Sequence, residues 1–437
     1  MKIEELITMD QPSIFTIATI IISLAAVFGY CNYKFLKLPH TIGLVIIALF
    51  TSLGVLGVDA IAPGLGIETS VRAFIIDIDF YQLLMEGMLS FLLFAGALHI
   101  NLDDLISKKW VIGSLATIGV LTSTFLVGSA ILGLSILLGL EIPFIWCLVF
   151  GSLIAPTDPV AVLGILKTVK IPKSIKTKIA GESLFNDGVG IVVFLIMVSL
   201  AISLTDSTGQ SATPTSIDVI KLFAQEALGG AALGFLTGWV AYRILKTVNE
   251  HNLEVLITLA LVMGTYGIAT ALHLSGPIAV VIAGLLIGNH GKTFAMGETT
   301  RDHVTKFWSL LDEIMNSVLF LLIGFEILSL TWSGQIVTFA LIAIPITLAA
   351  RFISVSLPLS ILKIKQEFTK GTIPILAWGG LRGGISVALA LSLPEGPSKP
   401  IILAATYAVV VFSIVVQGLT VKQIVRITIG ANPNDNK

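Results

Sequence analysis

The sequence has few charged residues, and this scarcity excludes an ordinary soluble protein. Asp, Glu, Lys and Arg make up only 12% of its 437 residues, whereas soluble globular chains have roughly 25%. Apolar residues make up 55% of the chain, and its mean hydropathy is +0.97. The composition therefore predicts an all-α polytopic membrane protein.

Other signals are missing as well. Cys31 and Cys147 are the two cysteines, both in apolar segments, so neither a disulfide framework nor a metal spacing is indicated. The first residues, MKIEELITMD, lack the basic region of a signal peptide. GKT at 291–293 lacks the upstream glycines of a phosphate loop. We therefore expect no cofactor, no nucleic-acid partner, no catalytic residues and no ATP-driven transport.

Apolar runs that could cross a bilayer follow one another along the chain. A spanning helix needs about 20 mostly apolar residues, and no ten-residue alternation typical of an outer-membrane barrel recurs. The predicted segments are 12–34, 39–57, 80–100, 112–139, 144–167, 179–203, 218–242, 253–273, 276–289, 307–330, 335–362, 371–393 and 400–421. The ninth is short, so the count is twelve or thirteen. The short loops predict one membrane domain over 1–437, with no soluble domain.

Lysine and arginine in the loops predict the orientation, because cytoplasmic loops are enriched in both. The basic residues of one side are the following: Lys34, Lys37, Lys108, Lys109, Lys167, Lys170, Lys173, Lys176, Lys178, Arg243, Lys246, Lys292, Arg301, Lys306, Lys363, Lys365, Lys370, Lys422, Arg426 and Lys437. Those of the other side are Lys2, Arg72, Lys221 and Lys399. The amino terminus is predicted outside and the carboxyl terminus in the cytoplasm, which requires an odd number of spans.

The fifth segment contains Asp158 between two prolines, Pro156 and Pro159. Each proline lacks an N–H and clashes with the carbonyl four residues earlier, so the helix should open around Thr157 and Asp158. Unwound backbone at membrane depth is tolerated where it lines a cavity or is buried in protein. Carbonyls, a hydroxyl and a carboxylate suit a small hard cation. The alternative is a proline kink in which Asp158 only caps the following half-helix.

The sixth segment contains two acids, Glu182 and Asp187, whose side chains cannot reach the same site. Ser183, Asn186 and Asp187 are spaced i, i+3 and i+4, so they share one helix face. Glu182 lies about 140° round the helix from Asp187. One acid can face a cavity shared with Asp158. The other needs a buried cation, since an unpaired charge at the bilayer centre costs several kcal/mol.

Two arginines, Arg351 and Arg382, lie deep enough in apolar segments to pair with that acid. Four glycines surround Arg382 in AWGGLRGGISVALAL, 377–391. Because glycine destabilises a helix interior, they predict a second interrupted helix; a small-residue packing face is the alternative. Interrupted fifth and twelfth helices fit two inverted repeats whose broken helices cross at the midplane.

Other polar residues give weaker signals. Asp312, Glu313 and Glu326 surround the tenth segment, and Glu86 and Glu226 stand alone. Helix-end solvation or pairing between subunits explains these acids at least as well as transport does. The six histidines lie near segment ends, where a loop or interface position is favoured over a pH-sensing one.

Three motifs, in this order, resemble the monovalent cation:proton antiporter family, most closely its prokaryotic sodium/proton antiporters, which are related to the sodium/proton exchangers. They are APTDPVAV at 155–162, GESLFNDGVGIVVF at 181–194 and WGGLRGGISVALAL at 378–391. Helix count and motif order extend the resemblance over essentially the whole chain. It implies a homodimer with a moving six-helix core, which we expect within about 80–203 and 307–427, and a dimerisation scaffold elsewhere.

The resemblance also implies roles for individual residues. Asp187 would be the main carboxylate for cation and proton, and Asp158, Thr157 and Ser183 would complete a sodium site. Asn186 would orient this site through hydrogen bonds. Glu182 would form a buried salt bridge, for which family position favours Arg351 over Arg382. Relatives often have an acid in the third helix where Ala95 stands, which leaves cation preference and affinity open.

These residues predict exchange of Na⁺, and of Li⁺, for H⁺ across the cell membrane. Cation and proton would compete for Asp187 and Asp158 by alternating access. Asn186, where some family members have a second aspartate, implies electroneutral exchange. Potassium/proton exchange is the nearest alternative. A cation channel and an intramembrane enzyme with an Asp158–Asp187 dyad are more distant ones.

Overall fold

The computed structural model of the chain describes residues 14–62, 67–166, 171–205, 216–292, 296–364, 368–369 and 371–429. Within these ranges every regular element is a helix. This confirms the all-α fold that the apolar composition predicted. Backbone groups have no water to bond in lipid, and a helix satisfies them internally.

The helices of the first half are α1 (Ile14–Cys31), α2 (His40–Ile61), α3 (Ile67–Asp77), α4 (Phe80–Gln82), α5 (Leu89–Leu98), α6 (Leu102–Ser107), α7 (Lys109–Ser114), α8 (Val120–Leu137), α9 (Phe144–Leu153), α10 (Val160–Leu166) and α11 (Lys173–Thr205). Those of the second half are α12 (Ser216–Leu245), α13 (His251–Ala271), α14 (Gly276–Leu286), α15 (Glu298–Phe325), α16 (Gly334–Leu362), α17 (Thr372–Trp378), α18 (Gly384–Leu391), α19 (Ser398–Phe412) and α20 (Gly418–Ile429). Several of these helices are extended by π-helical turns at Asn32–Leu36, Leu83–Met88, Leu115–Gly119, Ile287–Gly291 and Ser413–Gln417.

Nine helical stretches in the described ranges are long and apolar enough to cross a membrane, and Phe144–Leu153 and Gly276–Gly291 are shorter apolar helices. The polytopic prediction is therefore confirmed, while the count of thirteen spans stays a prediction. Helices α13 and α14 are separate because the chain turns at HLSGP. There the Ser275 hydroxyl caps α14 by accepting a hydrogen bond from Ile278 N at 3.4 Å, and Pro277 lies in its first turn.

Several helices extend beyond the apolar segments that the sequence predicts. The tenth segment was expected over 307–330, but α15 begins at Glu298 and ends at Phe325. Its first residues, ETTRDHVTK, are polar, so a rule based on apolar length does not detect them. They nevertheless continue the helix beyond the apolar region.

Both predicted interruptions are confirmed. The fifth segment is divided between α9 and α10, with the chain non-helical around Thr157 and Asp158. The twelfth is divided between α17 and α18, with the break around Leu381. The two breaks meet as an antiparallel β-bridge in which Asp158 N donates to Leu381 O at 2.8 Å.

Gly383 permits this close crossing. A Cβ atom placed there would lie only 2.6 Å from Cβ of Asp158, closer than carbon atoms can approach without displacement. At Gly383, the absence of a side chain allows the two interrupted helices to cross in close contact, so the interrupted helix and the small-residue packing face are compatible.

The helices pack in two groups that position the functional site. In one group, α5 packs against α14 and α15, and α15 packs against α2. In the other, α9 packs against α8 and α11, and α19 packs against α16 and α18. A cavity in the described part of the chain is lined by residues of both groups.

Candidate cation-binding site

The predicted site residues come together where the first break passes α11. Thr157, Ser183, Asn186 and Asp187 are all buried, with at most 6% of their surface exposed. Asp158 is partly buried. The spacing along α11 places Ser183, Asn186 and Asp187 on the face toward the break, as a shared helix face predicts.

Thr157, Ser183 and Asn186 form one hydrogen-bonded network. The Asn186 amide donates from Nδ2 to Thr157 Oγ1 at 2.8 Å and accepts at Oδ1 from Thr157 N at 3.3 Å. Thr157 Oγ1 lies 3.0 Å from Ser183 Oγ. Buried polar groups without partners are costly, so this network stabilises the unwound backbone at Thr157. Asn186 thus holds the position of a residue in the break.

Asp158 both caps a helix and lines the cavity. Its Oδ1 accepts a hydrogen bond from Val160 N at 2.7 Å, which satisfies one of the unpaired amides at the start of α10. Its side chain also lines the cavity. The capping alternative and the cation-binding prediction are therefore compatible.

Asp187 is buried and lines the same cavity. Among the described residues, no hydrogen bond or salt bridge of its carboxylate is found, and Asp158 is close enough for the two charges to interact. A carboxylate that is removed from water without a partner is costly. A proton or a bound cation would remove this cost, so the position suits a site that is alternately loaded with one or the other.

The cavity has a volume of about 660 Å³. Its lining from the first break, α11 and α18 includes Thr157, Asp158, Asp187 and Gly383. Further lining comes from α2, α5 and α15 and includes the exposed residues His99, Ser309 and Glu313. The cavity therefore connects the two aspartates with the protein surface. Ala95 of α5 also lies on its wall.

Glu182 points away from this cavity. Arg351 Nη1 lies 2.6 Å from Glu182 Oε1, and both side chains are almost completely buried. Arg351 Nη2 also donates to Leu376 O at 3.2 Å. This ion pair joins α11, α16 and α17. Of the two arginines that the residue pattern left open, Arg351 is in contact with Glu182.

Arg382 has a different set of partners. Its Nη1 donates to the carbonyl oxygens of Ala155 at 2.7 Å and Pro156 at 3.0 Å. Its backbone N donates to Ser413 Oγ at 2.9 Å. Pro159 leaves the Ala155 carbonyl without a helical N–H partner, and the guanidinium of the second break binds that oxygen. The Ala155 oxygen, one of the carbonyls that the opened helix was expected to leave free, is therefore hydrogen-bonded to an arginine.

Sequence reasoning underestimated the contribution of α15 to the cavity. Ser309, Asp312, Glu313 and Asn316 all line the cavity. Their spacing of three and four residues forms a polar stripe on one helix face, which is a signal that could have identified them. His40 and His99 line the cavity too, and contact the same helix: His40 Nε2 lies 2.9 Å from Ser317 Oγ, and His99 Nε2 lies 3.0 Å from Ser309 Oγ.

The sequence matches a known protein family over most of its length. Residues 22–427 match the family model described as "Sodium/hydrogen exchanger, transmembrane". The chain is 46% identical over 409 residues to the Na⁺/H⁺ antiporter NhaP of Pseudomonas aeruginosa, covering 93% of this chain and 95% of the relative. It is 33% identical to the Na⁺/H⁺ antiporter NhaH of Halobacillus dabanensis, covering 90% and 93% respectively.

The fold is also similar to a solved structure. The sodium proton antiporter MjNhaP1 of Methanocaldococcus jannaschii, at pH 8, superimposes with a TM-score of 0.71 and 18% identity. The match covers 94% of this chain and 98% of that one. At this identity the similarity concerns the fold alone.

Proposed function

The chain belongs to the sodium/hydrogen exchanger family, and we propose that it is a secondary transporter that exchanges Na⁺ for H⁺. The observation that carries this proposal is Asp187. It is buried, lines the cavity beside Asp158, and among the described residues no side chain binds its carboxylate. The named relatives are Na⁺/H⁺ antiporters, which supports sodium as the cation.

Exchange follows from competition for one site. Oxygen atoms of Asp187, Asp158, Thr157 and Ser183 would bind a dehydrated Na⁺, since hard cations prefer oxygen ligands. A proton on Asp187 would neutralise the same charge and exclude the cation. If only a loaded site moves between the two sides of the membrane, one ion must leave before the other is carried back. Alternating access and competition then give antiport.

We propose that exchange is electroneutral and that Li⁺ is also a substrate. Asn186 stands beside Asp187, and its amide is engaged with Thr157, so it adds no further titratable group. Li⁺ is a smaller monovalent cation that prefers the same oxygen ligands. Relatives with this family pattern are expected to form homodimers in the cell membrane. For this chain we propose the same assembly, with the amino terminus outside and the carboxyl terminus in the cytoplasm.

The proposal is tested with purified protein in liposomes that contain a pH-sensitive dye. Addition of Na⁺ to one side should move protons in the opposite direction, with Li⁺ active and K⁺ less so. A larger response to K⁺ would favour the potassium/proton alternative. Cation flux without proton counterflow would indicate a channel. For electroneutrality, the initial rate should not change when a membrane potential is imposed.

A further inference from the structure

The cavity that contains Asp158 and Asp187 is lined by two further carboxylates, Asp312 and Glu313 of α15. Lysine and arginine are absent from the cavity lining in the described part of the chain, where His40 and His99 are the basic side chains. A cleft lined by one sign of charge and bounded by protein of low dielectric concentrates ions of the opposite sign. The whole cavity therefore attracts cations, and its negative charge extends beyond the predicted site.

Asp312 differs from Glu313 in its burial, and a neighbouring side chain holds it by hydrogen bonds. Asp312 is partly buried, whereas Glu313 is exposed. Asn316 Nδ2 donates to Asp312 Oδ1 at 3.0 Å and to Asp312 O at 2.8 Å, which fixes the direction of the carboxylate. Asp312 is also close enough to Asp158 for their charges to interact. The carboxylate is thus oriented, partly desolvated and electrostatically coupled to the inner site.

A second observation indicates that a cation passes this point. Asp187 lines the same cavity with only 6% of its surface exposed, and no salt bridge to its carboxylate is found among the described residues. A cation that reaches Asp187 through this cavity passes a lining that also includes Asp312.

We propose that Asp312 is an outer cation-binding residue, which holds a partly hydrated monovalent cation before it reaches Asp158 and Asp187. Its role is to raise the occupancy of the inner site at low cation concentration. It does not carry the proton that is exchanged. This inference rests on the proposed Na⁺/H⁺ exchange, and it adds a binding residue on α15 to that function.

The test measures the initial rate of Na⁺-driven proton flux in liposomes as a function of Na⁺ concentration. In Asp312→Asn the apparent KM for Na⁺ should rise by roughly tenfold at low ionic strength, within the range expected for electrostatic concentration in a cleft. The rate at saturating Na⁺ should stay close to that of the wild type. Asp312→Glu, which keeps the charge, should restore most of the affinity.

Salt dependence separates an electrostatic role from a structural one. The Debye length falls from about 30 Å at 0.01 M to about 8 Å at 0.15 M ionic strength. Added choline chloride should therefore reduce the difference in KM between the wild type and Asp312→Asn. Asp302→Asn is the matched control, because Asp302 is an exposed acid on the same helix but outside the cavity, and its KM should not change.

Two results would overturn the inference. One is an unchanged KM in Asp312→Asn; the other is a KM that rises equally in Asp312→Asn and Asp312→Glu and does not respond to added salt, which would indicate a structural role. Asp312→Ser is a second neutral variant if Asp312→Asn does not fold. A wild-type protein without Na⁺-driven proton flux would overturn the proposed function together with this inference, whereas an active wild type with an insensitive Asp312 overturns the inference alone.

Discussion

The guanidinium of Arg382 hydrogen-bonds to the carbonyl oxygen of Ala155 at 2.7 Å, so that a residue of one interrupted helix satisfies the backbone of the other. The same Nη1 reaches Pro156 O at 3.0 Å. The two breaks are therefore one structural unit. Their crossing is held by an arginine side chain and by the backbone bond between Asp158 and Leu381.

We expect Arg382→Met to destabilise the protein, because the Ala155 and Pro156 carbonyls would lose their donor. An unsatisfied buried polar group costs about 1–3 kcal/mol. A thermal unfolding curve of the purified protein should shift clearly to lower temperature. Arg426→Met is the control, since Arg426 is exposed and should have little effect. Equal stability of the two variants would contradict the role of Arg382.

The Glu182–Arg351 pair should contribute to folding more than to transport. Removing one partner of a buried ion pair costs about 3–5 kcal/mol, because the other charge remains buried. Glu182→Ala should therefore give little folded protein. The double variant Glu182→Gln with Arg351→Met should recover part of the loss, since it leaves no unpaired charge. Normal yield and thermal stability of Glu182→Ala would show that the pair is not structural.

Gly383→Ala should separate the two breaks. The added Cβ would lie 2.6 Å from Cβ of Asp158, a distance that requires the backbone to move. We expect exchange to be lost even where folded protein is recovered. Gly396→Ala is the matched control, because nothing lies within 4 Å of a Cβ at that position. Exchange by Gly383→Ala at the wild-type rate would mean that the crossing tolerates displacement.

The interrupted helices were predictable because their causes are local. Pro156 and Pro159 remove helical hydrogen bonds on both sides of Asp158, and the glycines around Arg382 weaken a helix without any partner. The division between Glu182 and Asp187 was predictable for the same reason, since helical spacing alone separates their faces.

Contacts between distant segments were not predictable in this way. Spacing could not choose between Arg351 and Arg382 for Glu182, since both are buried arginines in apolar helices. Nor could it show that Arg382 binds carbonyls of the first break. For Asp312, helix-end solvation and pairing between subunits are as good explanations as transport from the sequence alone, because the sequence does not show what its helix face packs against. The packing of α15 against α2 and α5 places it in the cavity.

Asn186→Asp should change the charge carried in each cycle. A second carboxylate beside Asp187 can hold another proton, and the amide donor to Thr157 Oγ1 is lost. We expect exchange by this variant, where retained, to respond to an imposed membrane potential, whereas exchange by the wild type does not. Asn186→Ala is the control for the lost hydrogen bonds, since it removes the amide without adding a charge. Potential-dependent exchange by the wild type would contradict the electroneutral proposal.

The central claim is that Na⁺ and H⁺ compete for the carboxylate of Asp187. The direct measurement compares wild-type protein and Asp187→Asn in liposomes that contain a pH-sensitive dye, with folded protein verified by thermal unfolding. Asparagine has nearly the same shape but cannot be ionised. The account predicts Na⁺-driven proton flux by the wild type and none by Asp187→Asn. Retained Na⁺-driven proton flux in a folded Asp187→Asn variant would contradict it.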